Sequence, residues 1–383
     1  SAHHRHQDSL ERLLKFSPSP PLEFNKSIQA RDRFYEILQH YENTPSIPNG
    51  PYNRLKLLRT TYDYAISEKS KDNVLRAFFN AVGLSMDEQD GLNFSTKEVE
   101  DEIFSKLVGF ADFLIDNFFL PLKASTKRTP QPSPAYHTAI QRTRSGGQNF
   151  IGTTARLKSL RGDCLIRDRH RCVISRRFDQ TQAVKRMQAS PNDARDDDDN
   201  ILVGEFDALE VAHILPHSLM KFNSDLELDD SRAAALEILN MFDTDIAHLI
   251  EGPEIDRPRN ALTLTNNLHL FFGNFQIYFE PVDDLPNTYK IDTFLPYAAL
   301  NYLLPVTRSL FVTKERTIDP PSPRFLAVHR AIAHILHLSA AGRYIDKILE
   351  DREEQSIRVD GSTPLGQLVQ LRMDGWWDGR VEG

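Results

Sequence analysis

Residues 207–216 read DALEVAHILP, and residues 259–281 read RNALTLTNNLHLFFGNFQIYFEP. The first is a short apolar strand that ends on His213 and is stopped by Pro216. The second opens with an alternating, β-branched strand, ALTLT, and turns through Asn266 and Asn267 into a short helix. FQIYFEP and YKIDTF then read as two further strands joined by the turn DDLPN. The order strand, strand, helix sets His213 at the end of one strand, Asn260 at the start of the next and His269 on the first turn of the helix. Three polar side chains can therefore gather around one cavity.

Around this centre the chain divides into four parts. Residues 1–125 read as a helical domain, because RDRFYEILQHY, NRLKLLRTTYDYAIS and KDNVLRAFFNAVGL repeat apolar residues at helical intervals. A longer helical pattern runs on to Pro121. Residues 126–155 are rich in Ser, Thr, Pro, Gly and Arg and read as a linker. Residues 156–294 begin with a helix, ARLKSLRGDCLIRD, followed by RCVIS as a short strand. An acidic loop at 191–200 reads as disordered, and an insertion at 217–256 carries the helical ALEILNMF. Residues 295–383 form a helical extension, led by PRFLAVHRAIAHILHLSAAGRYIDKILED and expected to pack on the preceding domain. The fold class expected is α+β.

Hydrolysis of a phosphodiester needs a base for water, a cation to offset charge on the phosphate and leaving oxygen, and rigid positioning. An imidazole suits the base because it is largely neutral near pH 7, provided an oxygen on its other ring nitrogen fixes the tautomer. Mg²⁺ asks few ligands of the protein, since it keeps several waters. His213, Asn260 and His269 stand in an order that can meet these needs. His217, Asn267 and Asn274 are candidate helpers toward metal or phosphate.

RDRHRCVIS, LEVAHILPHSL and RNALTLTNNLHLFFGNFQIYF together resemble the HNH endonucleases, and within them a branch common in fungal proteins. The likeness covers roughly residues 155 to 350, and AVHRAIAHILHLSAAGRYID looks like the C-terminal region of those fungal proteins. It implies the ββα-metal, or His-Me finger, fold with insertions and a following β-hairpin. It also implies His213 as general base, Asn260 as the residue that orients it and ties down the loop, and His269 as a metal ligand. The implied activity is metal-dependent endonuclease cleavage, of DNA in preference to RNA, with Mg²⁺ as the leading cofactor and Mn²⁺ or Zn²⁺ as alternatives. Three departures stand out. Ala212 occupies a position that often carries a second metal ligand, Gly273 another, and Ser175 stands where a zinc-bracing partner of Cys172 would be. They keep open a degenerate domain that binds nucleic acid or protein without cutting.

Net charge is −8, which does not favour a protein that coats nucleic acid. The charge is uneven, however: Lys127 to Arg186 holds 14 Lys or Arg against Asp163, Asp168 and Asp179. Arg169, Arg171, Arg176 and Arg177 are the candidate phosphate contacts in this stretch. Cys164 and Cys172 are the only cysteines, too few for a disulfide framework. No apolar run approaches the roughly 20 residues that span a bilayer, and the opening SAHHRHQDSL lacks a secretory apolar core. A soluble protein of nucleus or cytoplasm is expected, with no membrane partner. The helical 1–125 region is a candidate for self-association or a protein partner.

Overall fold

The computed structural model describes residues 20–44, 50–86, 96–126, 153–220, 230–315, 317–353, 365–374 and 376. Most of the linker expected at 126–155 lies outside these residues, as do residues 221–229 of the insertion. Helices α1 (Phe24–Glu42), α2 (Arg54–Asp63), α3 (Glu68–Val82) and α4 (Lys97–Leu114) come first. A π-helical turn, Ile115–Phe119, then leads into α5 (Leu120–Thr126). Next are α6 (Thr153–Arg167), β1 (Phe178–Asp179), α7 (Gln180–Ala189), β2 (Phe206–Asp207), β3 (Leu209–His213), α8 (Asp230–Phe242) and α9 (Ile246–Leu249). The chain continues through β4 (Ala261–Thr265), α10 (Asn266–Gly273), β5 (Ile277–Pro281), β6 (Thr288–Thr293) and β7 (Val306–Ser309). It ends in α11 (Pro323–Leu338), α12 (Ala341–Glu353) and α13 (Leu365–Met373). The class is α+β, as expected.

The chain forms two compact units. The first gathers residues 1–125, 221–248 and 331–383, and the second gathers 126–220 and 249–330, so the boundary falls inside α11. In the first unit, apolar faces at helical spacing meet as aromatic pairs: Phe34 lies edge-on to Phe78 at 4.7 Å, and Phe118 stacks on Phe242 at 5.4 Å. Ser67 caps α3 by accepting from Ser70 N, and Gly83, at φ +71°, ends it in the left-handed conformation that glycine adopts without strain. Lys123 is buried, and its ammonium reaches the Gly342 carbonyl at 3.1 Å and Asp346 at 2.6 Å.

In the second unit, β3 and β4 pair antiparallel in the register Leu209↔Thr265 through His213↔Ala261. β4 passes directly into α10 at Thr265, whose extended backbone precedes the helix. Leu160 and Cys164 of α6 pack with Val211 and Ala261 of the two strands. At the end of α6, Arg167 is fully buried and donates to both carboxylate oxygens of Asp168, and to the Pro258 and Ala261 carbonyls. β5, β6 and β7 make a separate antiparallel sheet, which contains the expected hairpin.

Two local expectations need correction. RCVIS is a turn, with a single bridge between Arg171 and Phe178, and not a strand. Its chain reverses because Cys172 N bonds Arg177 O, while Ser175 N donates to Cys172 Sγ at 3.4 Å. The loop at 191–200 is ordered. Asp196 accepts the Asp198 and Asn200 amides at 2.9 Å, and Ala194 and Leu202 are buried with Phe178 and Ala183.

His329 on α11 is held between rings. It stacks on Phe272 at 3.9 Å and on Phe275 at 4.7 Å, and Nε2 donates to the Phe272 carbonyl at 3.0 Å. Burial pushes its pKa down to about 3. An unfolded histidine titrates near 6.5, so between these values only the unfolded chain gains the proton. Its contribution to stability is complete above about pH 6.5 and is lost at ~1.4 kcal/mol per pH unit as the pH falls toward 3. Urea unfolding of the second unit at pH 7 and pH 5 is expected to show that loss in the wild type and a shallower one in His329→Gln.

Candidate active site and metal centre

β3 delivers His213 to a buried position, with a residue exposure of 7 %. The short segment 252–256 lies opposite, and Asp256 Oδ1 stands 3.1 Å from His213 Nε2. The same oxygen lies 2.7 Å from Nδ1 of His217, which begins the single 3₁₀ turn after Pro216. The other oxygen, Oδ2, accepts from Arg156 Nε at 3.0 Å. The His213, His217 and Asp256 donor atoms all lie within 4.8 Å of one another.

Charge settles the direction of these bonds. Hydrogen bonds from the two imidazoles hold the Asp256 carboxyl well below the usual carboxylate range, despite its burial. It is an acceptor only, so His213 carries its proton on Nε2 and donates it. Burial lowers the His213 pKa, and the neighbouring His217 and His269 charges add to the shift against the pull of Asp256. The imidazole is therefore neutral at pH 7. Its remaining lone pair is on Nδ1, which is buried and has no hydrogen-bond partner among the described residues.

Asn260 binds the parts together. It is fully buried; its side-chain oxygen accepts from Leu215 N at 2.9 Å, and its amide nitrogen donates to Leu215 O and Ile255 O, each at 2.9 Å. Its own carbonyl takes Ile214 N at 2.8 Å. The residue thus locks the chain after His213 to the chain before Asp256.

On α10, His269 is also buried, and its Nδ1 lies 2.6 Å from Glu210 Oε2. The bond to His269 lowers the Glu210 pKa, so Glu210 accepts and His269 donates from Nδ1. That tautomer keeps the lone pair on Nε2. Glu210 and Ala212 are two apart on β3 and project from the same face. A carboxylate therefore reaches His269 from the strand even though position 212 bears only a methyl group. At Gly273 a Cβ would lie 3.0 Å from the Thr126 carbonyl oxygen, so a side chain there requires that neighbour to give by a few tenths of an ångström.

The other candidates have partners or positions of their own. Asn267 is exposed on α10, and Asn274 follows the helix, its backbone N–H on Leu270 O. Arg169 pairs with Asp198, Arg171 with Asp196 at 2.6 Å, and Arg177 with Glu205 and with Asp207 at 3.1 Å. Arg176 lies over the Phe311 ring at 4.2 Å and donates to the Ser309 carbonyl. Sequence reasoning did not single out Asp256, Glu210 or Arg156. Glu210 carried one usable signal, its strand spacing from position 212. Asp256 and Arg156 carried none.

Residues 172–280 match the model of the HNH endonuclease family. The span opens at Cys172 and holds His213, Asn260 and His269, so this part of the chain is an HNH endonuclease domain, of nuclease-type, nucleic-acid-related function. No curated protein and no solved structure matches the chain. No helix among the described residues is long and apolar enough to cross a membrane.

Removing the Asn260 side chain leaves Leu215 N, Leu215 O and Ile255 O buried without partners. At ~1–3 kcal/mol for each orphaned group, Asn260→Ala is expected to destabilise the second unit by about 3 kcal/mol or more, read from the shift in its urea midpoint.

Proposed function

We propose that the chain is a divalent-metal-dependent endonuclease that hydrolyses phosphodiester bonds of nucleic acid, DNA in preference to RNA. The observation that carries this reading is the state of His213: neutral, its Nε2–H on a carboxylate, its Nδ1 lone pair buried without a partner among the described residues. That is the arrangement a general base requires. Nδ1 takes the proton of a water whose oxygen attacks phosphorus, and the positive charge that develops on the ring is offset by Asp256 through Nε2–H. Asp256 is held in turn by Arg156, and Asn260 keeps the two sides of the pair in place. Asp256 is thus a positioning residue.

The donors on β3 and α10 fit a divalent ion of the Mg²⁺ or Mn²⁺ class. His269 Nε2 would hold the ion, and the Glu210 carboxylate fixes the ring, in the way metal-bound imidazoles are commonly braced. So small a protein contribution suits an ion that keeps several waters and binds phosphate. When bound, the ion supplies charge stabilisation to the phosphate and leaving oxygen. The paired arginines at 169, 171 and 177 are proposed phosphate contacts that exchange their Asp and Glu partners for the backbone of the substrate.

Ala212 and Gly273, which offer no ligand, favour one other reading, a domain that binds nucleic acid without cutting. Incubation of supercoiled plasmid with Mg²⁺, Mn²⁺ or EDTA separates the two. Nicking is expected with metal, lost in EDTA, and slowed about 10²–10⁴-fold in His213→Ala. No nicking by a folded wild-type chain, with binding weakened by salt and indifferent to EDTA, would leave only the binding module.

The pH profile is a second test. The base works only when neutral, and its pKa lies below the ordinary histidine value. Cleavage is therefore expected to persist below pH 6.5 and to fall only as the pH drops through that lowered pKa. Asp256→Asn, which removes the counter-charge, should lower the rate maximum.

A further inference from the structure

We infer that His213, His217 and Asp256 form a second cation site, separate from His269, that takes a borderline transition metal of the Zn²⁺ class. Two imidazole nitrogens and one carboxylate oxygen converge: Nε2 of His213 and Nδ1 of His217 stand 3.1 Å and 2.7 Å from Asp256 Oδ1. Donors bonded to one Zn²⁺ at about 2.0–2.2 Å sit no more than about 4.4 Å apart, so only small shifts would admit the ion. Imidazole donors favour Zn²⁺ and its neighbours, whereas Mg²⁺ prefers oxygen. Arg156 occupies Oδ2 and so presents Oδ1 alone to the ion, as an outer partner orients a ligating carboxylate. The carboxylate is sealed from solvent, while the His217 side chain keeps 21 % exposure and gives the ion its entry.

Binding moves the proton of the neutral His213 ring from Nε2, which meets the ion, to Nδ1. The Nδ1 lone pair of His213 is thereby lost. On the reading of His213 as base, a Zn²⁺-class ion here opposes cleavage; the binding site itself does not depend on that reading.

The test measures metal, not cleavage. The full chain is stripped with EDTA, dialysed and titrated with ZnCl₂ by calorimetry, beside His217→Ala, Asp256→Asn and His269→Ala. His3, His4 and His6 are present in every chain, so the difference between chains is the readout. Wild type is expected to bind one ion more than His217→Ala, or to bind it roughly tenfold or more tightly, a loss that even outer partners of a metal can cause. His269→Ala should retain that ion. His217 is partly exposed, so its substitution leaves the fold intact, as an unchanged melting curve verifies, even if Asp256→Asn does not fold. Equal uptake by wild type and His217→Ala, or a loss as large in His269→Ala, overturns the proposal.

Discussion

The amide side chain of Asn260 has no contact with solvent and satisfies backbone groups on two separate stretches of chain, at Leu215 and at Ile255. Such groups have no other outlet once they are buried, and leaving them unmade costs far more than making them gains. The chemistry of the second unit depends on this junction. It fixes where β3 ends, and so where His213 points. It also fixes where the segment 252–256 lies, and so where Asp256 meets His213. Register does the rest: with His213 opposite Ala261, and β4 running without a loop into α10, His269 is carried back to Glu210 on the first strand.

The two histidines are treated alike by their surroundings and prepared for different work. Each gives one N–H to a carboxylate, His213 through Nε2 and His269 through Nδ1. The bond defines which nitrogen keeps its lone pair, and in the two rings it is the opposite one. Asp256 is deeply buried and shared with His217 and Arg156, whereas Glu210 serves His269 from the strand. The same side-chain pairing therefore yields a buried Nδ1 in one place and an Nε2 in the other.

His213, Asn260 and His269 were legible because each stands at a junction that sequence marks: the end of an apolar strand, the start of a β-branched one, the first turn of a helix. Their carboxylate partners were not. The contacts 213 to 256 and 210 to 269 join residues far apart in the chain, and only pairing register and the Asn260 junction bring them together. RCVIS shows the limit of local preference. Its Val173 and Ile174 favour a strand, yet the sulfur of Cys172 and the carbonyl of Arg177 close a turn that outweighs them. The acidic run misled for a related reason: its composition gives no apolar core. Arg171 and Arg186 supply charged partners instead, and His170 adds a hydrogen bond to Asp197, so the loop is ordered by polar contacts.

The first unit is assembled from three separated stretches of chain, with the whole of 126–220 and 249–330 lying between them in the sequence. During synthesis from the N-terminus, Phe118 waits for Phe242, and the ammonium of Lys123 waits for Asp346. The unit whose helices leave the ribosome first is therefore the last to close, after the HNH domain has been made in full. Until then its apolar helical faces have only part of their final cover, the condition in which nascent chains associate wrongly and call on chaperones. A chain cut off after about residue 125 reproduces that unfinished state permanently, leaving helices without the segments that complete their core.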